Sequence, residues 1–429
     1  MAFFYAMIEA VIESKEEKSM KILVIGKGGR EHALAYACKE SPLCEELICA
    51  PGNPGMEKIG ECVNVSDSDV EGLVNLAKSR KVDLTIVGPE ATLALGVVDA
   101  FEKEGLKIFG PNKAATQVES SKDFAKNIMK KYDIPTAAYQ TFRDFDSAWN
   151  YVQEKGAPIV VKEDGLKAGK GVTVAYSLEE AKEALDIAFG IENNSVVIEE
   201  CLVGFEFSLI CLVHNHTVVP LEVAQDHKCV FDGDKGPNTG GMGSYSPVKK
   251  ITPEIIDQAM NEVLKPMANA MVEEGVPFTG FLYGGLMLTK DGIKTIEFNA
   301  RFGDPEAEVI LPRLQSDFVQ AILDVMEDKE VKLSWTNKVS HGVVLASTNY
   351  PASSTKGSLI TGVEDVDGLV FHMGTKNTDS GLVTDGGRVL MVVSLEDTLE
   401  EAFKHTYNEI EKIHCKDLFH RNDIGKKDM

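Results

Sequence analysis

No stretch of this chain is apolar over anything near the ~20 residues that a membrane-spanning helix requires. Its eight cysteines contain no C-x-x-C pair and no regular spacing. The first absence argues against a membrane protein. The second argues against a zinc site or a disulfide framework, so reduced thiols and a cytoplasmic location are expected. Basic charge is scarce as well: 44 Lys and Arg stand against 67 Asp and Glu, for a net charge of −23. Non-specific nucleic-acid binding relies on Lys and Arg to neutralise phosphates, so no nucleic-acid partner is expected. An anionic small molecule would need cations and backbone N–H groups gathered locally. No Lys or Arg precedes the apolar residues Phe3, Phe4, Tyr5, Met7 and Ile8, and Glu9 and Glu13 interrupt them, which makes a poor secretory signal. Residues 1–19 read as an extension outside the fold.

What is present is a chain of 429 residues with 44% hydrophobic and 26% charged residues, ordinary for a globular protein and long enough for roughly three domains. Lys21 to Ile25 is a β-branched strand followed by a Gly-rich turn and a helix over 31–39. Leu47 to Ala50, Asp83 to Val87 and Lys107-Ile-Phe-Gly continue a strand–helix alternation that predicts a parallel α/β layer. Sites in such sheets lie at the carboxyl ends of strands, which gathers Gly26 to Glu31, Pro51 to Asn53 and Gly88 to Glu90 around one crevice. A smaller unit follows, with a helix over 122–131, strands over 157–162 and 171–175, and a helix over 178–188. Further strands run to about Ala224, then come a Gly-rich stretch and a long helix over 253–274. The last part has strands over 342–346 and 389–393 and a helix over 399–413.

Two familiar phosphate signatures are missing. Gly26-Lys-Gly-Gly-Arg-Glu31 sits where a dinucleotide fingerprint would, but its sixth position is Glu31. The second strand ends in Cys49-Ala50-Pro51, without an acidic residue for a ribose hydroxyl, so a dinucleotide is not expected. Two readings stay open: a grip on a phosphate-bearing small molecule at the helix N-terminus with Arg30 as a clamp, or a tight turn needed only for packing. Lys162-Glu-Asp-Gly-Leu-Lys-Ala-Gly-Lys-Gly171 lacks Walker A spacing. Its glycines and lysines nonetheless suit a flexible cover over polyphosphate, and equally a solvated hairpin tip.

Thr295-Ile-Glu-Phe-Asn-Ala-Arg-Phe-Gly-Asp-Pro-Glu306 is the most informative segment. Side chains two apart on a strand share a face, so Glu297 and Asn299 aim two hard oxygens at one point. Mg²⁺ takes one or two such protein groups and fills its octahedron with water and phosphate. Arg301, Asp304 and Glu306 follow on a turn. Gln225-Asp-His-Lys228 and Gly236-Pro-Asn-Thr-Gly-Gly-Met-Gly243 carry too few apolar anchors to exist for burial, and read as lining a site.

Gly-Gly-Arg-Glu-His-Ala (28–33), Ala-Pro-Gly-Asn (50–53), Val-Gly-Pro-Glu (87–90), the 225–228 and 236–243 segments and residues 297–306 together resemble the phosphoribosylamine–glycine ligase family, the ATP-grasp glycinamide ribonucleotide synthetases. The likeness runs from Met20 to about Gly425. It implies an N-terminal parallel α/β (pre-ATP-grasp) domain over 20–120, an ATP-grasp lid over 121–194, a central ATP-grasp domain over 195–330 and a small C-terminal α+β domain over 331–429. It implies ATP-dependent joining of glycine to phosphoribosylamine through glycyl phosphate in purine synthesis, by a cytoplasmic monomer whose partners are ATP, glycine and phosphoribosylamine. Lys122 and Lys162 would meet ATP phosphates under the loop of Gly165, Gly169 and Gly171. Glu199, Glu200 and Leu202 would meet adenine, and Glu206 the ribose. Glu297 and Asn299 would hold Mg²⁺ or Mn²⁺. Asp226, Arg301 and Asp304 would orient glycine. Gly28, Gly29, Arg30, Glu31 and Glu90, with His227, Lys228, Asn238, Thr239 and Gly240, would form the substrate side.

Some positions depart from the family pattern. Glu163 and Lys167 stand in the lid loop where small residues are usual, and Phe205 and Phe207 flank Glu206. The strand over 283–288 carries no metal-binding carboxylate. A related ATP-grasp enzyme acting on another carboxylate, and a nucleotide-binding regulator with a decayed site, are the competing readings. The 225–243 segments oppose the first, and intact Lys162, Glu297, Asn299, Arg301 and Asp304 oppose the second.

Overall fold

In the computed structural model, residues 19–165, 171–191 and 194–429 are described. Lys167 and Gly169 of the lid loop, and residues 1–18, lie outside them. The strand Met20–Gly26 is the centre of a five-stranded parallel sheet, flanked by Cys44–Pro51 and Leu84–Val87, with Glu61–Cys62 and Ile108–Phe109 at the edges. Ile22, Leu23, Val24 and Ile25 are all fully buried, the unbroken apolar run expected of a parallel strand covered on both faces. Gly26 pairs with Pro51, and Ile25 with Val87, so the three loops read as neighbours do meet at the carboxyl edge.

The next sheet is antiparallel, in the order Tyr139–Phe142, Val196–Glu200, Ile159–Glu163, Val172–Ala175. It takes in the strand at 196–200, beyond residue 194. The helices Phe145–Lys155 and Leu178–Phe189 supply its small core, through Ala148, Val152, Ala181 and Leu185. A third sheet orders Thr217–Pro220, Gly204–His214, Thr279–Thr289 and Gly292–Asn299. The stretch read as one long helix over 253–274 is helical throughout but changes pitch. Pro253–Ala259 is α, Met260–Leu264 has π geometry, and Lys265–Glu273 is α again. Pro266 lacks the N–H that the carbonyl four residues earlier would accept, which is a physical reason for widening there.

The last sheet is not made of the last residues alone. Its order is Gln225–Asp226, Gly243–Ser246, Val339–Ser347, Arg388–Glu396, Leu369–His372, so two strands from the middle of the chain form its edge. The N-terminal helix Gly29–Lys39 packs on the same apolar core as this sheet, through Leu34, Val309, Val344 and Met391. Among the described residues, no helix is long and apolar enough to cross a membrane.

Four buried histidines join these layers. His227 Nε2 accepts the Gly425 N–H (3.1 Å), and His32 Nδ1 accepts the His372 N–H (2.9 Å). A nitrogen that accepts N–H cannot carry a proton. Burial lowers both His32 and His227 from 6.5 to about 3, and His341 and His372 to about 4. NMR of ring-labelled protein should therefore show all four neutral from pH 8 to 5. A buried ring titrating near 6.5 would contradict this packing.

Candidate active site

A cleft of about 380 Å³ lies where the parallel sheet, the lid sheet and the central sheet converge. Arg30, Glu90, Lys122, Lys162, Gly165, Gly171, Glu199, Glu200, Leu202 and Glu206 line it, as do Asp226, Lys228, Asn238, Thr239, Gly240, Glu297, Asn299, Arg301 and Asp304. Gly28, Gly29, Glu31 and His227, also expected at the site, are not among its lining residues.

The Gly-rich turn has a specific duty there. A Cβ on Gly26, Gly28 or Gly88 would lie 2.4, 2.8 or 2.1 Å from atoms of the Glu31 side chain, so the three glycines form a slot around that carboxylate. Gly26 also has φ +123°, a backbone conformation that suits glycine. Glu31 accepts the Gly28 N–H at 2.6 Å, closing the helix N-terminus, and the Arg30 Nε–H at 2.6 Å. Arg30, fixed also by Phe302 O (3.3 Å) and facing Glu90 (3.6 Å), is what this turn presents to the cleft. Burial opposes the Glu90 carboxylate, but Arg30 and Arg301 outweigh it and hold its pKa below the ordinary value.

At the other end Met129, Val160, Val174, Met287, Ile296 and Leu202 form an apolar slot. The Glu200 side chain is held by the Ala138 N–H (3.0 Å) and Lys294 (2.8 Å). Glu199 is buried with its carboxylate between Lys126 (3.1 Å) and Lys162 (3.0 Å), so its side chain serves the lysines. Lys162 also donates to Ile296 O at 2.9 Å, and Lys122 donates to Gly165 O at 3.0 Å. Burial lowers Lys122, and lowers Lys126 to about 8 despite Glu199. Lys162→Met is expected to reduce kcat/KM for ATP by about 10²-fold, the scale of one lost charge contact in a transition state. Steady-state kinetics check this; an unchanged value would remove Lys162 from the phosphate site.

The strand Gly292–Asn299 carries Glu297 and Asn299 to one wall of the cleft. Burial opposes the Glu297 carboxylate, yet Lys228, Lys162, Arg301 and Lys122 outweigh it and lower its pKa. Across the ladder, Asn299 faces Tyr283 and Glu297 faces Gly285, so the neighbouring strand adds no carboxylate. Among the described residues no group of three or more His, Cys, Asp or Glu could hold a metal. An ionised carboxylate and an amide oxygen are hard donors, and two protein groups suffice for an ion such as Mg²⁺ whose remaining ligands are phosphate and water. The donor set fits a divalent cation delivered with a nucleotide. Phe207 is buried in the core, and Phe205 lies under Lys250 at 4.7 Å, so Glu206 alone of the three reaches the cleft, where it pairs with Lys228 at 2.6 Å. Glu163 accepts from Asn194 at 3.2 Å.

Beyond the strand that carries Glu297 and Asn299, Asp304 pairs with Arg388 (2.9 Å), which also donates to Gly240 O (2.8 Å) and Asp304 O (2.9 Å). Asp226 is half-buried with its Oδ1 enclosed, and burial together with Glu306 raises its pKa well above the usual carboxylate range. Gly241, at φ +115°, would place a Cβ 2.4 Å from Asp226 Oδ1 and 2.3 Å from Pro305, so this glycine is what lets the two segments close. Glu306, read from the sequence as part of the turn after the strand, also lines the cleft, and Arg388, Glu119, Lys126 and Tyr283 line it without having been picked out from the sequence. Gly386-Gly-Arg-Val-Leu390 belongs to the stretch that resembles the family, and that was the one available signal for Arg388.

The chain matches three family descriptions in succession: "Phosphoribosylglycinamide synthetase, N domain" over residues 20–119, "ATP-grasp (A) domain" over 120–307, and "C domain" over 340–427. It is 51% identical over 415 residues to the phosphoribosylamine–glycine ligase of Halalkalibacterium halodurans, covering 95% of this chain and 97% of that one. It is likewise 51% identical over 412 residues to the Lactococcus lactis enzyme, covering 95% of this chain and all of the relative. The crystal structure of the Thermotoga maritima phosphoribosylamine–glycine ligase superposes with a TM-score of 0.82 at 33% identity, covering 94% of this chain and 100% of that one. An N5-carboxyaminoimidazole ribonucleotide synthetase in complex with ADP shares only the fold, with a TM-score of 0.66 at 17% identity. With its parallel N-terminal sheet, its antiparallel ATP-grasp sheets and matches along nearly its whole length, the chain belongs to the phosphoribosylglycinamide synthetase family of ADP-forming ligases in purine biosynthesis.

Proposed function

We propose that this cleft joins glycine to 5-phosphoribosylamine at the expense of ATP, yielding glycinamide ribonucleotide, ADP and phosphate. The observation that carries the reading is the single wall on which Glu297, Asn299, Arg301 and Asp304 stand between the lysines of the apolar slot and the Arg30–Glu90 end. Adenine fits the slot beside Leu202 and the Glu200 main chain, and Glu206 is within reach of ribose. Lys122 and Lys162 take phosphate oxygens, and Gly165 and Gly171 bracket the loop that covers them. Mg²⁺ or Mn²⁺ held by Glu297 and Asn299 would neutralise charge on the triphosphate. Arg301 receives the glycine carboxylate. Asp226 suits the glycine ammonium, because a cation beside it would restore the carboxylate that burial disfavours. A glycine carboxylate oxygen attacks the γ-phosphorus, the bond to the bridging oxygen breaks and ADP leaves. The amine nitrogen then attacks the acyl carbon, and phosphate departs. Arg30 and Glu90 orient the phosphoribosylamine, with Lys228, Asn238, Thr239 and Gly240 on the facing wall. His227, Gly28, Gly29 and Glu31, outside the lining, support these residues. No side-chain nucleophile is required, and exclusion of water from the cleft would protect the acyl phosphate. A cytoplasmic monomer with these three small-molecule partners, divided at 120, 194 and 330, completes the proposal.

The test is ADP release with glycine and freshly generated phosphoribosylamine, each omitted in turn, with mass detection of the product. Release that needs both substrates supports the ligase. Release that needs neither, or glycine replaced freely by other carboxylates, overturns it.

A further inference from the structure

Glu119 touches both the end of the strand that carries Glu297 and Asn299 and the arginine that follows it. It lies on the short helix Gln117–Ser120, three residues before Lys122. Its Oε2 accepts the Ala300 N–H at 2.7 Å, and its Oε1 lies 3.0 Å from Arg301 Nη2. The amide of Asn299 is assigned by its surroundings. With Nδ2 turned to Phe298 O (3.2 Å) and Glu119 Oε1 (3.3 Å), both contacts are hydrogen bonds, whereas the opposite orientation sets oxygen against oxygen. That assignment turns Oδ1 away from the carboxylate and toward donors. Three consecutive residues, Asn299, Ala300 and Arg301, are thus held by a side chain from a different element, and that side chain is 8% exposed.

We propose that Glu119 is a positioning residue: by accepting from the Asn299 amide and from Arg301 it fixes the metal-ligating oxygen and the glycine-binding guanidinium in one register. The inference rests on the assignment of Glu297 and Asn299 to the cation. An amide rotates readily between two nearly isosteric orientations, and only one offers oxygen to a cation. A carboxylate, which accepts and never donates when ionised, selects that orientation. Partners of this kind typically contribute 10–100-fold to metal affinity. Because Glu119 closely precedes the helix of Lys122, the same contact ties the phosphate-binding helix to the metal strand.

The experiment is Mn²⁺ binding to the full chain with ADP, read by electron paramagnetic resonance, for wild type, Glu119→Gln, Asn299→Ala and the double variant. Thermal unfolding serves as the fold control. The expected result is a Mn²⁺ Kd raised about 10–100-fold in Glu119→Gln, with the double variant no weaker than Asn299→Ala alone. Glycine KM should rise in the same variant while ADP affinity without metal is unchanged. Wild-type Mn²⁺ affinity in a folded Glu119→Gln, or losses that simply add, would overturn the proposal. Should Glu119→Gln not fold, Glu119→Asp keeps the charge on a shorter arm and takes its place in the cycle, where unchanged affinity or additive losses again overturn the proposal. If Asn299→Ala and Glu297→Ala both bind Mn²⁺·ADP like wild type, the cation site itself is wrong, a result distinct from additivity.

Discussion

Glu297→Ala is expected to lower turnover by on the order of 10³-fold while leaving the fold intact. The asymmetry follows from what surrounds the carboxylate. Its pKa is lowered because Lys228, Lys162, Arg301 and Lys122 outweigh the burial that opposes its charge. Three of these cations keep another acidic partner when Glu297 is gone: Lys228 has Glu206 at 2.6 Å, Lys162 has Glu199 at 3.0 Å, and Arg301 has Glu119 at 3.0 Å. Lys122 keeps its hydrogen bond to Gly165 O. No buried charge is orphaned, and the side chain is 34% exposed, so the cost to folding should be about 1 kcal/mol or less. Activity suffers because two like-charged groups, a carboxylate and a triphosphate, must approach at this wall. Single-turnover ADP formation and thermal unfolding, measured on the same preparation, check both halves. Wild-type rates in the variant would refute the metal assignment.

Glu31→Ala should behave in the opposite way, costing about 3 kcal/mol of stability, because removing one partner of a buried pair strands the other. Arg30 would lose its 2.6 Å contact and keep the more distant Glu90 at 3.6 Å, and the Gly28 N–H would lose its acceptor. The slot formed by Gly26, Gly28 and Gly88 would be left as a void. KM for phosphoribosylamine should rise with the loss of Arg30's orientation, and the KM for ATP should not. Gly88→Ala approaches the same state from the other side, since its added Cβ would lie 2.1 Å from Glu31 Oε1. Chemical denaturation of the two variants decides the matter. Wild-type stability in both would show that the turn is not organised around Glu31.

The parallel N-terminal sheet was legible because its signal is local, with Lys21 to Ile25, Leu47 to Ala50 and Asp83 to Val87 each apolar and each ending in turn residues. The helix at Lys122–Lys131 falls where its pattern places it. Glu297 and Asn299 were legible for a similar reason, since a strand's period of two needs no tertiary knowledge. The role of Glu31 was not, because the glycines that enclose it come from positions 26, 28 and 88, and only folding brings them together. Two readings of that turn were open, and the structure assigns the glycines to seating a side chain. Arg388 stands 84 residues from Asp304 in sequence, and its pairing leaves no local trace. Lys126 and Glu119 lie on helices where a charged residue reads as a solvated face. His227 belonged to a segment read as lining a site, but single-residue resolution needed its partner Gly425, 198 positions away.

The sheet edge formed by Gln225–Asp226 and Gly243–Ser246 also bears on how this molecule can be taken apart. Ser244 pairs with Gly342 and on its other side with Asp226, and Arg388 reaches back to Gly240. A fragment ending near residue 330 would therefore carry Asp226 on a two-strand flap stripped of its neighbour Val339–Ser347. Dissection, split-protein reassembly or domain shuffling at that seam would take one wall of the cleft apart rather than detach an appendage, because strands from both sides of the seam, and Arg388 beyond it, build that wall.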